Sequence, residues 1–157
     1  MGFIFLLWLC VAAVIDARFR ICFNWVVVVG LFFALVSIIM TPELHPVYLN
    51  IKVSILTSVT VFFIFLFFYK IGLMGGGDVK FGASLGAWVG WDVFLMVWAL
   101  SCCISVIHGV IFRSKYFNEF LSLIGIDVGC KFNEKRHIPY VTYLSLATIV
   151  VLMLDKY

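Results

Sequence analysis

Two acidic residues, Asp16 and Asp78, stand where a carboxylate could do chemistry. Asp78 follows three consecutive glycines between long apolar runs, and Asp16 comes directly after the first apolar run, where it is predicted to close the first helix. A carboxylate beside hydrocarbon is costly, so it is by default a functional hypothesis that needs a partner. Two carboxylates held close together share one proton, and such a pair can activate a water and protonate a leaving group. That is the chemistry of an aspartic protease.

The residues around Asp78 are predicted to support such a site. Gly75 and Gly77 would permit backbone angles that are closed to other residues and let a peptide approach the backbone closely. Lys80 either tunes Asp78 or anchors the chain as a positive charge at the membrane surface. A phosphate-binding loop is disfavoured, because the spacing of the glycines and the lysine does not match one and a carboxylate would repel phosphate.

The composition predicts an integral membrane protein. Of the 157 residues, 65% are hydrophobic and only 12% are charged, whereas charged residues make up about a quarter of a typical soluble domain. No linker, repeat or low-complexity tract divides the chain, so residues 1–157 are expected to form one domain. The first apolar run is expected to be a retained helix rather than a secretory signal, because its basic residues follow it.

Six apolar runs are candidates to cross the bilayer, which takes about 20 residues per helix. They cover residues 3–15, 23–41, 47–69, 79–91, 93–112 and 138–154. A turn at Gly90-Trp91-Asp92 is needed to separate the fourth run from the fifth, and Trp88 and Trp91 are then predicted to be interfacial anchors. The fold class is therefore all-α, with six transmembrane helices.

Charge counting sets the predicted orientation. With six spans, nine of the eleven basic residues fall on one side, and only Lys52 and Lys156 fall on the other. The positive-inside rule makes the richer side cytoplasmic and puts both termini on the non-cytoplasmic side. Asp16 and Asp78 then share the cytoplasmic face, and residues 114–137 could form a short interfacial helix there. The net charge of +3 is explained by this asymmetry, and no nucleic-acid partner is predicted.

Plainer interpretations compete at both aspartates. Asp78 could be a helix N-cap, although a cap alone does not explain three glycines, and Asp16 could be an interfacial carboxylate paired with Arg18 or Arg20. The five cysteines and three histidines lack ligand spacing, so no metal site, disulfide framework or cofactor is predicted.

The segment Gly75-Gly76-Gly77-Asp78-Val79-Lys80 resembles the second-aspartate motif of the type IV prepilin peptidases, membrane aspartic proteases of the G-x-G-D class. Asp16 lies where that family has its first catalytic aspartate. The residues after Asp16 are similar to the family's basic residues followed by Ile-Pro-Asn, with Asn24 in register and Phe23 in place of proline. Ile138-Pro139-Tyr140 resembles a third family feature.

The resemblance implies a bacterial inner-membrane hydrolase with Asp16 and Asp78 as catalytic residues. Its substrate would be a pilin or pseudopilin precursor, cut at the cytoplasmic face between a short basic leader and an apolar helix. The chain shows no cysteine-rich methyltransferase region, so it resembles the short members that process Flp/Tad-type pilins. The sequence leaves open which prepilin is processed, which aspartate holds the proton, the oligomeric state and the path of the substrate.

Two other functions remain open from the residues alone. A small transporter or channel component could use Asp78 as an ion or proton site in a broken helix. A non-catalytic subunit of a secretion apparatus would tolerate the loss of both aspartates.

Overall fold

The computed structural model of the protein describes residues 2–19, 23–40, 50–113 and 140–154, and the regular structure in these ranges is helical. The helices are α1 (Gly2–Phe19), α2 (Asn24–Met40), α3 (Ile51–Ile71), α4 (Gly76–Arg113) and α5 (Tyr140–Leu154). The predicted all-α class is confirmed. The interfacial helix predicted within residues 114–137 and the Ile138-Pro139 pair lie outside the described residues.

The helices have the composition that lipid requires. α1, α3 and α4 are long and apolar enough to cross a membrane, while α2 and α5 are shorter apolar helices of 17 and 15 residues. In hydrocarbon every backbone N–H and C=O must be bonded within the protein, and a helix achieves this within one segment. An apolar sequence destined for lipid is therefore helical.

Both ends of α3 are capped, and its second end turns directly into α4. Asn50 caps the start of α3 by accepting a hydrogen bond from the Lys52 N–H. At the other end Gly72 is left-handed (φ 83°), its N–H bonds to the Tyr69 carbonyl, and the Leu73 N–H bonds to the Phe68 carbonyl. This pair of bonds is a Schellman motif, which needs a residue such as glycine at the left-handed position. The chain can therefore turn back at once and begin α4 at Gly76.

Gly90 divides α4 into two segments, residues 76–89 (α4a) and residues 91–113 (α4b). Its backbone angles, φ 75° and ψ 176°, are not helical and belong to a region that only glycine occupies readily. The segments run in opposite directions, because Gly82 and Trp98, eight residues either side of Gly90, both contact the Phe65 ring. The break lies at the start of the turn that the sequence predicted.

α4a is the centre of the bundle, since every residue from 81 to 90 is buried. Small residues in this segment let neighbouring helices approach closely; a Cβ atom added at Gly82 would lie 2.5 Å from the Phe65 ring. The prediction that Trp88 anchors the protein at the membrane interface is wrong. Its ring is fully buried and its Nε1 donates to the Gly30 carbonyl, 2.9 Å away, whereas Trp91 is exposed.

The contacts of α4a fix the direction of its neighbours. α2 runs parallel to it, because Lys80 bonds to Asn24 and Trp88 bonds to Gly30. α1 and α3 run antiparallel to it, as shown by the ring contacts Trp8–Phe81 and Phe5–Trp88 and by the hydrogen bond from Ser54 to the Ala87 carbonyl. The bundle thus has an Asp78 end, where α1 and α3 finish and α2 and α4 begin, and a Gly90 end opposite.

Candidate active site

Asp78 lies in the first turn of α4, two residues after the helix begins at Gly76. Its Oδ2 atom accepts a hydrogen bond from the Gly75 N–H at 3.0 Å, and its own N–H donates to the Gly75 carbonyl at 3.1 Å. This bond from the third helical residue back to the capping residue is half of a capping box. The alternative interpretation of Asp78 as the N-cap residue therefore needs correcting. Gly75 is the N-cap residue, and the Asp78 carboxylate, inside the first turn, accepts the hydrogen bond from its N–H group.

The glycine triplet does not supply unusual backbone angles, contrary to the prediction for Gly75 and Gly77. Among the described residues the glycines with positive φ are Gly72 and Gly90, and Gly77 is helical. Gly75 is required for another reason, because a Cβ atom there would lie 3.1 Å from the Asp78 Oδ2 atom. A side chain at position 75 would therefore disturb the carboxylate that bonds to it.

Asp16 is a buried carboxylate near the end of α1, with 5% of its surface exposed. The helix does not end there as the sequence indicated, but continues to Phe19. The Asp16 Oδ2 atom accepts two hydrogen bonds from Thr142 of α5, one from the backbone N–H at 3.0 Å and one from the hydroxyl group at 3.1 Å. Such donors are what a buried carboxylate needs to offset the loss of water.

Tyr140, at the start of α5, contacts α4b. Its hydroxyl group lies 3.2 Å from Ser101 Oγ and 3.8 Å from Cys102 Sγ, and the Asp78 carboxylate has a weak electrostatic effect on it. Ser101 donates its hydroxyl proton to the Trp98 carbonyl. It therefore has only lone pairs left for Tyr140, and Tyr140 is the donor in the bond between them.

The first turn of α5 lies at the same end of the bundle as the two aspartates. Thr142 bonds to Asp16, and the Asp78 carboxylate has a weak electrostatic effect on Tyr140, two residues earlier. Residues from α1, α4a, α4b and α5 thus meet at the Asp78 end of the bundle. Sequence reasoning did not identify Thr142, Ser101 or the role of Tyr140; a signal was available in the two hydroxyl residues, Tyr140 and Thr142, that open an apolar segment.

Lys80 contacts the start of α2. Its Nζ atom donates to the Asn24 Oδ1 atom at 2.8 Å, and the Lys80 side chain is exposed. Asn24 is the first residue of α2. The contact therefore connects the two helices that begin at this end of the bundle.

The described residues show no arrangement suited to a metal ion. Within these ranges no three His, Cys, Asp or Glu side chains form a group that could bind one, and Cys10, Cys102 and Cys103 are free thiols. What the described residues offer instead is two carboxylates at one end of the bundle, each accepting a hydrogen bond from a backbone N–H group at the start of a helix. Carboxylates are groups that can take a proton from a water molecule.

Comparison with known proteins adds a family. The model of a family described as the type IV leader peptidase family matches residues 3–110, a range that contains both Asp16 and Asp78. Two curated proteins named prepilin leader peptidase/N-methyltransferase, from Aeromonas salmonicida (strain A449) and Aeromonas salmonicida, are 31% identical to the chain over 80 residues. The aligned part is 51% of this chain but only 23% of each relative. No solved structure matches the chain significantly.

Proposed function

Because the chain belongs to the type IV leader peptidase family, we propose that it is a membrane aspartic endopeptidase that removes the leader from prepilin precursors. The observation that carries this proposal is that Asp16 and Asp78 lie at one end of the bundle, where Asp16 bonds to Thr142 of α5 and Asp78 bonds to Gly75 at the start of α4. A water-activating pair requires both groups at one end of the bundle.

The proposed reaction uses one proton shared between Asp16 and Asp78. The ionised carboxylate takes a proton from a water molecule as the water oxygen bonds to the carbonyl carbon of the scissile peptide. The protonated carboxyl group donates a hydrogen bond to the carbonyl oxygen, and the peptide C–N bond then breaks as its nitrogen takes a proton from the pair. Water is the only reactant besides the peptide, so the proposal requires no cofactor.

The Asp78 end of the bundle is proposed to face the cytoplasm. Among the described side chains, Arg18, Lys70 and Lys80 lie toward this end, while Lys52 lies toward the Gly90 end. The reversal at Gly90 would divide the chain into six spans, with the two termini on the non-cytoplasmic side, and the positive-inside rule favours that orientation. The proposed location is the bacterial inner membrane, which the long apolar helices and the family support.

The proposed substrate is a prepilin of the Flp/Tad type, with a short basic leader that stays in the cytoplasm and an apolar helix in the bilayer. Its scissile bond would lie at the membrane surface, at the same depth as the Asp78 end. This class is proposed from the sequence resemblance. The relatives' names specify prepilin leader processing in general.

Conversion of each aspartate to asparagine tests the proposal. Asparagine retains a side-chain oxygen that can accept the hydrogen bonds from Gly75 or Thr142, so Asp16→Asn and Asp78→Asn should still fold and insert. Each should lower the rate of prepilin cleavage by about 10³-fold or more, because neither neutral amide can exchange a proton with water. The measurement is the conversion of a co-expressed prepilin to the mature form, which gel mobility and N-terminal sequencing detect.

Asp92→Asn is the matched control, since Asp92 is an exposed carboxylate at the Gly90 end and should be dispensable. Full processing by either site variant would contradict the proposal. In that case the transporter or scaffold functions would have to be tested instead. The position of Asp78 in the first turn of a helix, rather than midway along it, does not favour an ion site at the bilayer midplane.

A further inference from the structure

Thr142 bonds to α1 through both its hydroxyl group and its backbone N–H group. Its hydroxyl group lies 3.1 Å from Asp16 Oδ2 and 3.3 Å from the Ala13 carbonyl oxygen, and its N–H lies 3.0 Å from the same Oδ2 atom. Ala13 and Asp16 are three residues apart on α1 and so lie on one face of the helix. The hydroxyl proton is shared between two acceptors on that face.

Thr148, six residues further along α5, shows the ordinary behaviour for comparison. Its hydroxyl group donates to the Leu144 carbonyl at 2.7 Å, four residues earlier in the same helix. This is the usual bond of a threonine inside an apolar helix. Thr142 is in the first turn of α5, and its hydroxyl group is directed across to α1.

The backbone contact has a physical reason of its own. The first N–H groups of a helix have no partner within that helix, and a carboxylate that accepts one of them is stabilised by the partial positive charge of the helix start. The backbone bond alone leaves the Asp16 carboxylate some freedom to turn about its Cβ–Cγ bond. The Thr142 hydroxyl group, whose single proton is shared with the Ala13 carbonyl, is a second donor to the same carboxylate oxygen and restricts that rotation.

From these contacts we propose that Thr142 is a positioning residue for Asp16, and that its hydroxyl group holds the Asp16 carboxylate in the orientation that the shared water requires. This inference rests on the proposed function and deepens it. α5 then acts as the part of the fold that holds Asp16, because its first turn bonds to that carboxylate through both the N–H and the hydroxyl group of Thr142.

The test compares Thr142→Val, Thr142→Ser and the control Thr148→Val in purified protein, with kcat and KM for prepilin cleavage measured for each. Valine matches the shape of threonine but removes the hydroxyl group and keeps the backbone N–H. We expect Thr142→Val to lower kcat about tenfold with KM within about twofold of wild type, because the substrate-binding surface is unchanged. Thr142→Ser should retain most of the wild-type kcat, and Thr148→Val should match wild type in both constants.

A second measurement keeps the inference testable if the valine variant folds poorly. Thr142→Ala and Thr142→Ser can then be compared, with thermal unfolding followed in detergent for both, and the alanine variant should lose kcat where serine does not. Wild-type kcat in Thr142→Val or Thr142→Ala, or an equal loss in Thr142→Ser, would overturn the inference. Failure of the wild-type protein to cleave any prepilin would instead overturn the proposed function, so the two failures are distinguishable.

Discussion

At the scale of single residues, the candidate site depends on how each carboxylate is held. Asp78 bonds to the backbone of Gly75 within its own helix, whereas Asp16 bonds to Thr142 across two helices. The first arrangement is local and follows from four consecutive residues. The second exists only because α5 packs on α1. A defect in packing is therefore expected to affect Asp16 before it affects Asp78.

The steric requirement at Gly75 gives a prediction at this scale. Gly75→Ala would add a Cβ atom 3.1 Å from Asp78 Oδ2, so the carboxylate must shift by a few tenths of an ångström. Cleavage should fall by about tenfold, since small displacements of a catalytic group are costly. The rate of prepilin processing measures this effect.

Gly76→Ala is the matched control for that variant. A Cβ atom at Gly76 would lie 3.6 Å from the Tyr69 ring, an ordinary contact that should leave cleavage within about twofold of wild type. Equal cleavage rates for Gly75→Ala and Gly76→Ala would contradict the prediction. They would show that a side chain at position 75 does not disturb the Asp78 carboxylate.

At the scale of helices, α4a organises the others because it is buried on all sides from residue 81 to its end. Its residues contact α1, α2 and α3, and the lysine near its start bonds to Asn24 at the start of α2. The sequence left two roles open for Lys80, tuning of Asp78 or anchoring at the membrane surface, and the structure shows that its side chain bonds to Asn24. Lys80 connects helices at the Asp78 end, and an exposed contact of this kind is expected to contribute only modestly to stability.

Gly90 gives the prediction at the helix scale. Its backbone angles are essentially closed to residues with a Cβ atom, so Gly90→Ala should lower the free energy of unfolding by about 1–3 kcal/mol. The measurement is thermal unfolding in detergent. Because the reversal at Gly90 brings α4b alongside α4a, cleavage activity should fall together with stability.

Gly109→Ala is the comparison for Gly90. Gly109 is helical, and a Cβ atom there would have no neighbour within 4 Å. Alanine is favoured over glycine in helices by up to about 1 kcal/mol, so this variant should unfold at the wild-type temperature or higher. A destabilised Gly109→Ala beside a stable Gly90→Ala would contradict the role given to the break.

At the scale of the whole molecule, the bundle has two chemically different ends. The Asp78 end carries both aspartates and the described basic side chains other than Lys52, while the Gly90 end carries the exposed Trp91 and Asp92. A membrane protein with its reactive groups at one end acts on substrates at one surface of the bilayer. The orientation of the bundle therefore decides which compartment supplies the substrate.

Cysteine labelling tests that orientation. In a cysteine-free background, Lys52→Cys and Lys70→Cys put one thiol near each end of α3, where both side chains are exposed. A membrane-impermeant maleimide added to intact spheroplasts should label position 52 and not position 70, which should react only after permeabilisation. The reverse pattern would put the Asp78 end outside the cell and would be incompatible with cytoplasmic cleavage.

The sequence by itself determined the class of protein, the approximate helices and the two carboxylates. Apolar runs long enough to cross a bilayer can be read locally, because their length and composition are sufficient to predict a helix in lipid. The Gly-Gly-Gly-Asp segment and the turn beginning at Gly90 could be predicted for the same reason. Each depends on neighbouring residues alone.

Only the tertiary structure decided what each site residue contacts. Helices that are apolar on every face carry no periodic pattern to show which face points inward, so the sequence could not predict how α1, α4a and α5 are rotated about their axes. That rotation directs Asp16 toward Thr142, Trp88 toward Gly30, and Lys80 toward Asn24. The sequence thus identified which residues could do chemistry, and the packing of the helices decided which partners hold them in place.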